Sequence, residues 1–578
     1  MTTTAEAPPA DPAPVRAVSR SDTAVAVAVP TVLVAAHLWV YGRWIVDDAG
    51  ITMAYARSIS SGLGPVLQPG APVSEGWSDP AWLALFVVAR WLGLLDHGAW
   101  FGVSDLVAFP KVVGVLCCAG MFLAFHRVAL RVSPNPLTTT MVAGTITAAV
   151  PSFVVWVGSG LENPLLALVV VLLAARLATA AVDGDLLTTR VALQCAGLAA
   201  LASLTRPDGA VYLVAYPLAV ALLTTGAGRW RRAGLSLAVG LVPALVYEVW
   251  RIATFGELVP TTALAKGQGF LSSLNLGRPA DLIALAGWPV CLVVVGAVAV
   301  VLVRRRDLPA LTRVVAALLV PLGLAVLAFV LLAADWMALA RFATPVWPLG
   351  ALVAVLVVAP VLGGSGARTR RPVAIVLVVA AAVSVLTWTQ AALGFLGRPT
   401  VPLCGVVRSN AYAVDAHADA LDVREGSFLG VDAGGVALAS RLRFVDLAGL
   451  TDPAIARFWS TDDMTGLRDQ VFDVARPTFM RLTRGSNLTD ESGLLSDPRI
   501  GRDYVALWSD ATGSITVVRR DAVPSAAALS TAAASAANVM SGVTAAFTSG
   551  GPTSWPCPDA LRPPPVGAAA AVSVGSGR

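Results

Sequence analysis

Trp44-Ile45-Val46-Asp47-Asp48-Ala49-Gly50-Ile51-Thr52-Met53-Ala54-Tyr55-Ala56-Arg57 follows directly on an apolar run that begins near residue 23. A helix needs about 20 apolar residues to cross a hydrocarbon core, and this run has them. Two adjacent carboxylates therefore stand where the chain first leaves the bilayer. Acidic residues cap helix N-termini and sit well at the positive end of the helix dipole, and one aspartate would serve that purpose. A second beside it at a membrane surface calls for another explanation. Asp48, Thr52 and Tyr55, at i, i+4 and i+7, share one face of the helix that follows.

The rest of the chain supports a membrane setting. Its 578 residues are 56% hydrophobic and 13% charged, whereas a soluble domain carries roughly 25% charged residues. Lipid must solvate much of such a surface. The formal charge of +5 does not argue for nucleic acid, because most basic residues are arginines at the ends of apolar runs. The two lysines are Lys111 and Lys266.

Apolar runs near 23–45, 107–127, 137–157, 163–182, 191–204, 209–226, 233–252, 283–303, 309–333, 345–363 and 372–395 predict about eleven crossings. A shorter run, 80–95, holds Arg90 between Trp82 and Trp91 and reads as a helix lying in the interface. Arginine placement decides between the two treatments of that run. If the N-terminus is inside and 80–95 does not cross, Arg127/Arg131, Arg190, Arg229/Arg231/Arg232, Arg304/Arg305/Arg306 and Arg368/Arg370/Arg371 all fall inside. If 80–95 crosses, the same clusters move outside. The expected fold is thus a polytopic α-helical membrane protein of the plasma membrane. It has about eleven transmembrane helices, interfacial helices in the first outer loop, and a cytoplasmic N-terminus.

The chain after residue 395 then emerges outside. Short apolar runs between polar turns predict an extracytoplasmic mixed α/β domain. The expected divisions are a disordered tail over 1–20, a membrane-embedded catalytic domain over 21–396, the soluble domain over 397–523, and an Ala/Ser/Pro-rich segment over 524–578. Cys404 and Cys557 lie in this outer part, where a disulfide between them is possible. The other four cysteines lie in apolar runs.

With parity fixed, the polar motifs gather on the outer side. Ser61-Gly62-Leu63-Gly64-Pro65-Val66 and Pro69-Gly70 mark turns, followed by Val73-Ser74-Glu75-Gly76-Trp77-Ser78-Asp79-Pro80. Taken singly, Glu75 and Asp79 read as solvated loop carboxylates. Glu162 precedes Asn163-Pro164, and capping accounts for it as well as chemistry does. Thr205-Arg206-Pro207-Asp208-Gly209 offers either a local ion pair or a guanidinium for an anionic head group. Lys266 follows Gly256-Glu257, and Asp335-Trp336 and Arg341-Phe342 join two later runs. Arg206, Lys266 and Arg341 together suit a lipid phosphate; each alone reads as ordinary head-group contact. The four histidines are scattered through the sequence and suggest no metal set.

These motifs resemble the GT-C superfamily of membrane glycosyltransferases, whose hallmark is an acidic pair after the first span. The order Asp-Asp, Ala-Arg, Gly-x-Gly-Pro-Val, Ser-Glu looks most similar to the actinobacterial terminal β-(1→2)-arabinofuranosyltransferase group, whose donor is decaprenyl-phosphoryl-arabinose. The resemblance implies partners of three kinds, namely a polyprenyl-phosphate-linked sugar donor, a cell-wall or lipid-linked glycan acceptor, and membrane lipid. It implies no cofactor beyond the lipid-linked donor. It places Asp47, Asp48, Glu75 and Glu162 as catalytic candidates and Arg206, Lys266 and Arg341 on the donor phosphate. Tyr55, Trp77, Asp208 and Trp336 are then the candidates for substrate contact. Asp47 and Asp48 are equal candidates for the general base. Donor and product of the group are both β-linked, so one in-line displacement does not suffice, and Glu75 or Glu162 is a candidate second carboxylate. Rival readings are a mannosyltransferase of the same fold, a membrane scaffold for an outer carbohydrate-binding module, and a lipid-sugar transporter. The better spans read as nearly free of charge, with Glu248 and Arg251 the main exception, which weighs against transport.

Overall fold

The computed structural model describes residues 19–267, 277–332, 335–364, 367–550, 557 and 561–563. The tail expected over 1–20 and the end of the segment expected over 524–578 lie mostly outside these residues.

Every apolar run read as a crossing is helical. Helix α1 covers Arg20–Val40, and α2 covers the acidic motif, Asp47–Ser60. Helix α3 (Pro80–Trp91) and a hairpin of β1 (Ala99–Trp100) and β2 (Val103–Ser104) complete the connection to the next long helix. There follow α4 (Asp105–Val132), α5 (Pro136–Ala149), α6 (Pro151–Val157), α7 (Asn163–Asp183) and α8 (Thr189–Thr205). A 3-10 segment, Pro207–Val214, leads into α9 (Ala215–Leu223), then α10 (Arg229–Phe255) and the short α11 (Thr261–Ala265). The bundle closes with α12 (Arg278–Ala286), α13 (Trp288–Val303), α14 (Pro309–Leu331), α15 (Val346–Gly364) and α16 (Ala367–Gly397).

Length and composition qualify seven of these helices to cross a membrane: α1, α4, α7, α10, α14, α15 and α16. The number rises to nine if each of two bent pairs is one span, α5 with α6 at 79° and α12 with α13 at 97°. The protein is a multi-pass membrane protein whose helix pattern departs from eleven straight rods. Pro151 lacks an N–H and its ring clashes with the preceding turn, so the run read as 137–157 breaks there. Gly287, at φ 88°, breaks the run read as 283–303 in a conformation that suits only glycine. Helix α8 has 17 residues. The stretch 207–223 is likewise a shorter apolar helix.

The chain beyond α16 forms a mixed sheet with helices. Strands β3 (Ser427–Gly430), β4 (Arg443–Asp446), β5 (Phe479–Leu482), β6 (Tyr504–Ser509) and β7 (Ile515–Arg519) lie in the order β4-β3-β5-β7-β6. Strand β3 runs parallel to β4 and β5, and β7 antiparallel to β5 and β6. All four residues of β3 are buried, as expected of a strand covered on both faces. Three short helices, α17 (Leu403–Val406), α18 (Ala413–Ala420) and α19 (Ala433–Ala439), and a C-terminal helix, Ala526–Gly550, pack around it. Cys404 and Cys557 form a disulfide.

This C-terminal part is pinned to the turn between α1 and α2. Trp44 Nε1 donates to the Thr400 carbonyl at 2.8 Å, Asp47 N to Val401 O at 2.9 Å, and Leu403 N to Ile45 O at 3.0 Å. The approach of α19 to α2 is closer than a side chain permits. A Cβ on Gly434 would stand 1.9 Å from the Asp47 carbonyl oxygen.

Candidate active site

The two aspartates point to different places. Successive residues on a helix lie about 100° apart, so the two side chains leave α2 in different directions. The Asp47 carboxylate turns toward the C-terminal domain and accepts the Gly435 N–H at 2.8 Å and the Gly434 N–H at 3.0 Å. Burial, and then the charge of Asp432, push its carboxyl well above the ordinary carboxylate range, with the two N–H groups pulling the other way. Asp48 opens instead into a cavity of about 140 Å³.

Seven chain segments wall that cavity. The first turns of α2 contribute Asp48, Ile51 and Thr52, and the loop before α3 contributes Trp77 and Asp79. Glu162, just before α7, Arg206 and Asp208, just after α8, Lys266, after α11, and Arg341, after α14, complete the polar lining. The C-terminal domain adds Leu450. The site thus lies at one end of the bundle, where the ends of α8, α10 and α14 meet the start of α7.

The cations differ in how far they are neutralised. Arg206 donates to Glu162 at 2.5 Å and to Asp208 at 2.8 Å, and its guanidinium lies 4.5 Å from the Phe342 ring centroid. Arg341 pairs with Asp335 at 2.7 Å. Lys266 and Asp48 have no hydrogen-bond or ion-pair partner among the described residues. Burial raises the Asp48 carboxyl above its ordinary value, while Lys266 and then Arg341 oppose the rise. The site therefore presents an uncommitted carboxylate facing an uncommitted ammonium, on a frame of committed pairs.

Asp79 is a site residue that the sequence reading placed in a solvated loop. It precedes Pro80, the position of an N-cap, yet its side chain caps nothing. Its carboxylate accepts the Thr52 hydroxyl at 3.3 Å inside the cavity. Burial, and then the charge of Glu162, hold its carboxyl well above the usual range, against the Thr52 bond. The signal available in sequence was Thr52, one turn after Asp48.

Besides Asp47, three candidates stand outside the cavity. Glu75 is buried and accepts Arg251 Nε at 2.6 Å and the Tyr247 hydroxyl at 2.7 Å. Its carbonyl accepts the Thr261 N–H at 3.1 Å, which fixes the start of α11, the helix that leads to Lys266. Burial raises its carboxyl, with Arg251 acting in the opposite direction. Tyr55 lies behind Trp77, ring centroids 4.8 Å apart, with its hydroxyl 2.6 Å from Ser74 Oγ. Trp336 is exposed.

No family model matches the sequence. Over 254 residues the chain is 28% identical to the terminal β-(1→2)-arabinofuranosyltransferase of Mycobacterium tuberculosis (strain ATCC 25618 / H37Rv). The match takes in 41% of this chain and spans only 38% of that relative's length. Among solved structures, the chain is similar to ArnT from Cupriavidus metallidurans bound to undecaprenyl phosphate. The TM-score is 0.53 at 14% identity, over 88% of this chain and 100% of that one. It is also similar to the apo oligosaccharyltransferase of Archaeoglobus fulgidus, with a TM-score of 0.50 at 13% identity, over 86% of this chain and 74% of that one. Identities this low bear on the fold, and the fold is the GT-C fold: a helical membrane bundle with a strand-containing C-terminal domain.

Proposed function

We propose that this chain is a membrane glycosyltransferase that moves a sugar, arabinofuranose in the first instance, from a polyprenyl-phosphate donor to a glycan acceptor. The observation that carries the reading is the free Asp48 carboxylate facing the free Lys266 ammonium in a cavity that also holds Arg206 and Arg341. The cavity is small beside the roughly 300–1,000 Å³ of sites that enclose drug-sized ligands, and that suits one sugar and its phosphate. The solved neighbour with undecaprenyl phosphate bound, and the name of the curated relative, support a lipid-phosphate donor and arabinofuranose.

In this reading Asp48 takes the proton of the acceptor hydroxyl as its oxygen bonds to the anomeric carbon. The bond from that carbon to the phosphate oxygen breaks, and polyprenyl phosphate departs. Lys266 and Arg341 stabilise the charge that develops on the leaving oxygen. Arg206, held by Glu162 and Asp208, shapes the phosphate end. Asp79, poised beside Glu162, stands where a second carboxyl is required if configuration is retained. Asp47 joins the outer domain to α2, and Glu75 sets the course of α11. The orientation that leaves the arginine clusters in the cytoplasm puts this chemistry on the outer face of the plasma membrane.

The test is incorporation of label from decaprenyl-phosphoryl-arabinose and from a polyprenyl-phosphoryl-mannose by the purified chain in lipid, with acceptor glycan. Arabinose transfer is the expected result. Transfer of mannose alone would replace the sugar, and transfer of neither would remove the enzyme reading.

A further inference from the structure

We infer that a crevice between α4, α7 and α8, at the end of the bundle away from the candidate active site, binds the headgroup of an anionic phospholipid. The inference stands independently of the transferase reading. The crevice has a volume of about 470 Å³. Its walls are mostly apolar, with Leu172, Ala175 and Leu198 among them, and Arg127 and Arg176 are the two charged residues of the lining.

The two arginines carry the argument. Arg176 lies inside α7, seven residues before its end, or about 10 Å along the axis. A charge at such depth is costly unless it has a partner. Arg176 Nε donates to Gln194 Oε1 at 2.7 Å and Nη2 to Asp185 at 3.1 Å. These bonds fix the guanidinium and leave Nη1 without a partner among the described residues. Arg127 is exposed and forms no ion pair or hydrogen bond among them. The nearby Asp183 does not neutralise it, because that carboxylate pairs with Arg131 at 3.0 Å.

A fixed, half-satisfied guanidinium and a free one at the mouth of an apolar slot match a phosphodiester with acyl chains attached. Free phosphate would use the cations and leave the slot unexplained. A neutral lipid would fill the slot and leave the cations unexplained. Basic pockets between membrane helices bind anionic headgroups by this combination. Gly197, on the α8 wall, is open: a Cβ there meets nothing within 4 Å. A larger side chain at that position would therefore enter the slot without striking protein.

The experiment is native mass spectrometry of the full chain in detergent, with phosphatidylglycerol and phosphatidylcholine in equal amounts. Wild type should retain phosphatidylglycerol preferentially, and R127Q, a change at an exposed side chain, should lower that preference roughly fivefold. Gly197→Phe should expel the retained lipid while leaving both arginines in place. Equal retention of the two lipids by wild type would overturn the inference. So would R127Q retaining the full preference, or G197F leaving retention unchanged, which would indicate bulk surface charge. Displacement of the lipid by millimolar inorganic phosphate would assign the site to the free ion and overturn it as well.

Discussion

Replacing each aspartate of the pair by asparagine should separate chemistry from architecture. Asp48 makes no hydrogen bond or ion pair among the described residues, so Asp48→Asn removes a proton acceptor and no native contact. General-base catalysis contributes about 100- to 10,000-fold, and transfer should fall by that much. Asp47→Asn keeps one acceptor oxygen and turns an N–H₂ toward the second backbone N–H of α19. One buried donor is then left unsatisfied, at a cost of about 1–3 kcal/mol. That cost corresponds to roughly 5- to 150-fold faster amide exchange at Gly434 or Gly435, if opening of α19 is local. Transfer by Asp47→Asn should stay within about tenfold of wild type. The assays are donor-dependent labelling and hydrogen exchange across 433–439 on the same preparations. If Asp48→Asn keeps more than about a tenth of wild-type transfer, or speeds exchange at Gly434 as Asp47→Asn does, the division of labour is wrong.

Other outcomes follow from the same site. Asp48 must be ionised to act, so activity should be lost as pH falls through its raised pKa. Lys266 opposes that rise, so Lys266→Met should move the acid limb of the kcat/KM profile to higher pH, besides raising KM for the donor. Arg206→Lys loses the planar fork that spans Glu162 and Asp208; kcat/KM should drop about tenfold or more, with Glu162→Gln weaker in effect. Cys404→Ser releases a loop of 153 residues, and chain entropy sets the upper limit of the resulting destabilisation at about 5 kcal/mol. Faster proteolysis of the C-terminal domain, and no further effect of reductant on the variant, would check that.

The helices were legible because a membrane imposes long apolar runs that need no partner to be recognised. The bend at Pro151 had a visible cause in the sequence, and the turn at Gly287 had a weaker one. What distinguishes the two aspartates was not legible. Gly434 and Gly435 lie nearly four hundred residues along the chain, and nothing local says which carboxylate they meet. Arg206, Lys266 and Arg341 share the cavity, but the neutralisation of two of them and not the third depends on where Glu162, Asp208 and Asp335 fall in space. Asp79 was hidden by its resemblance to a helix cap. Arg176 was passed over inside a strong apolar run, because a single charge barely alters the mean of its neighbours.

The clamp on Asp47 has a mechanical consequence. Consecutive Cα atoms stand about 3.8 Å apart across a rigid peptide plane. The residue that holds the C-terminal domain and the residue that bears the free carboxylate are therefore joined by one peptide unit. A polymer lying on that domain would be held against a gauge whose zero is Asp48. A small tilt of the domain would be passed to the start of α2, so the placement of a reacting hydroxyl would depend on the seating of the whole C-terminal domain as well as on the cavity.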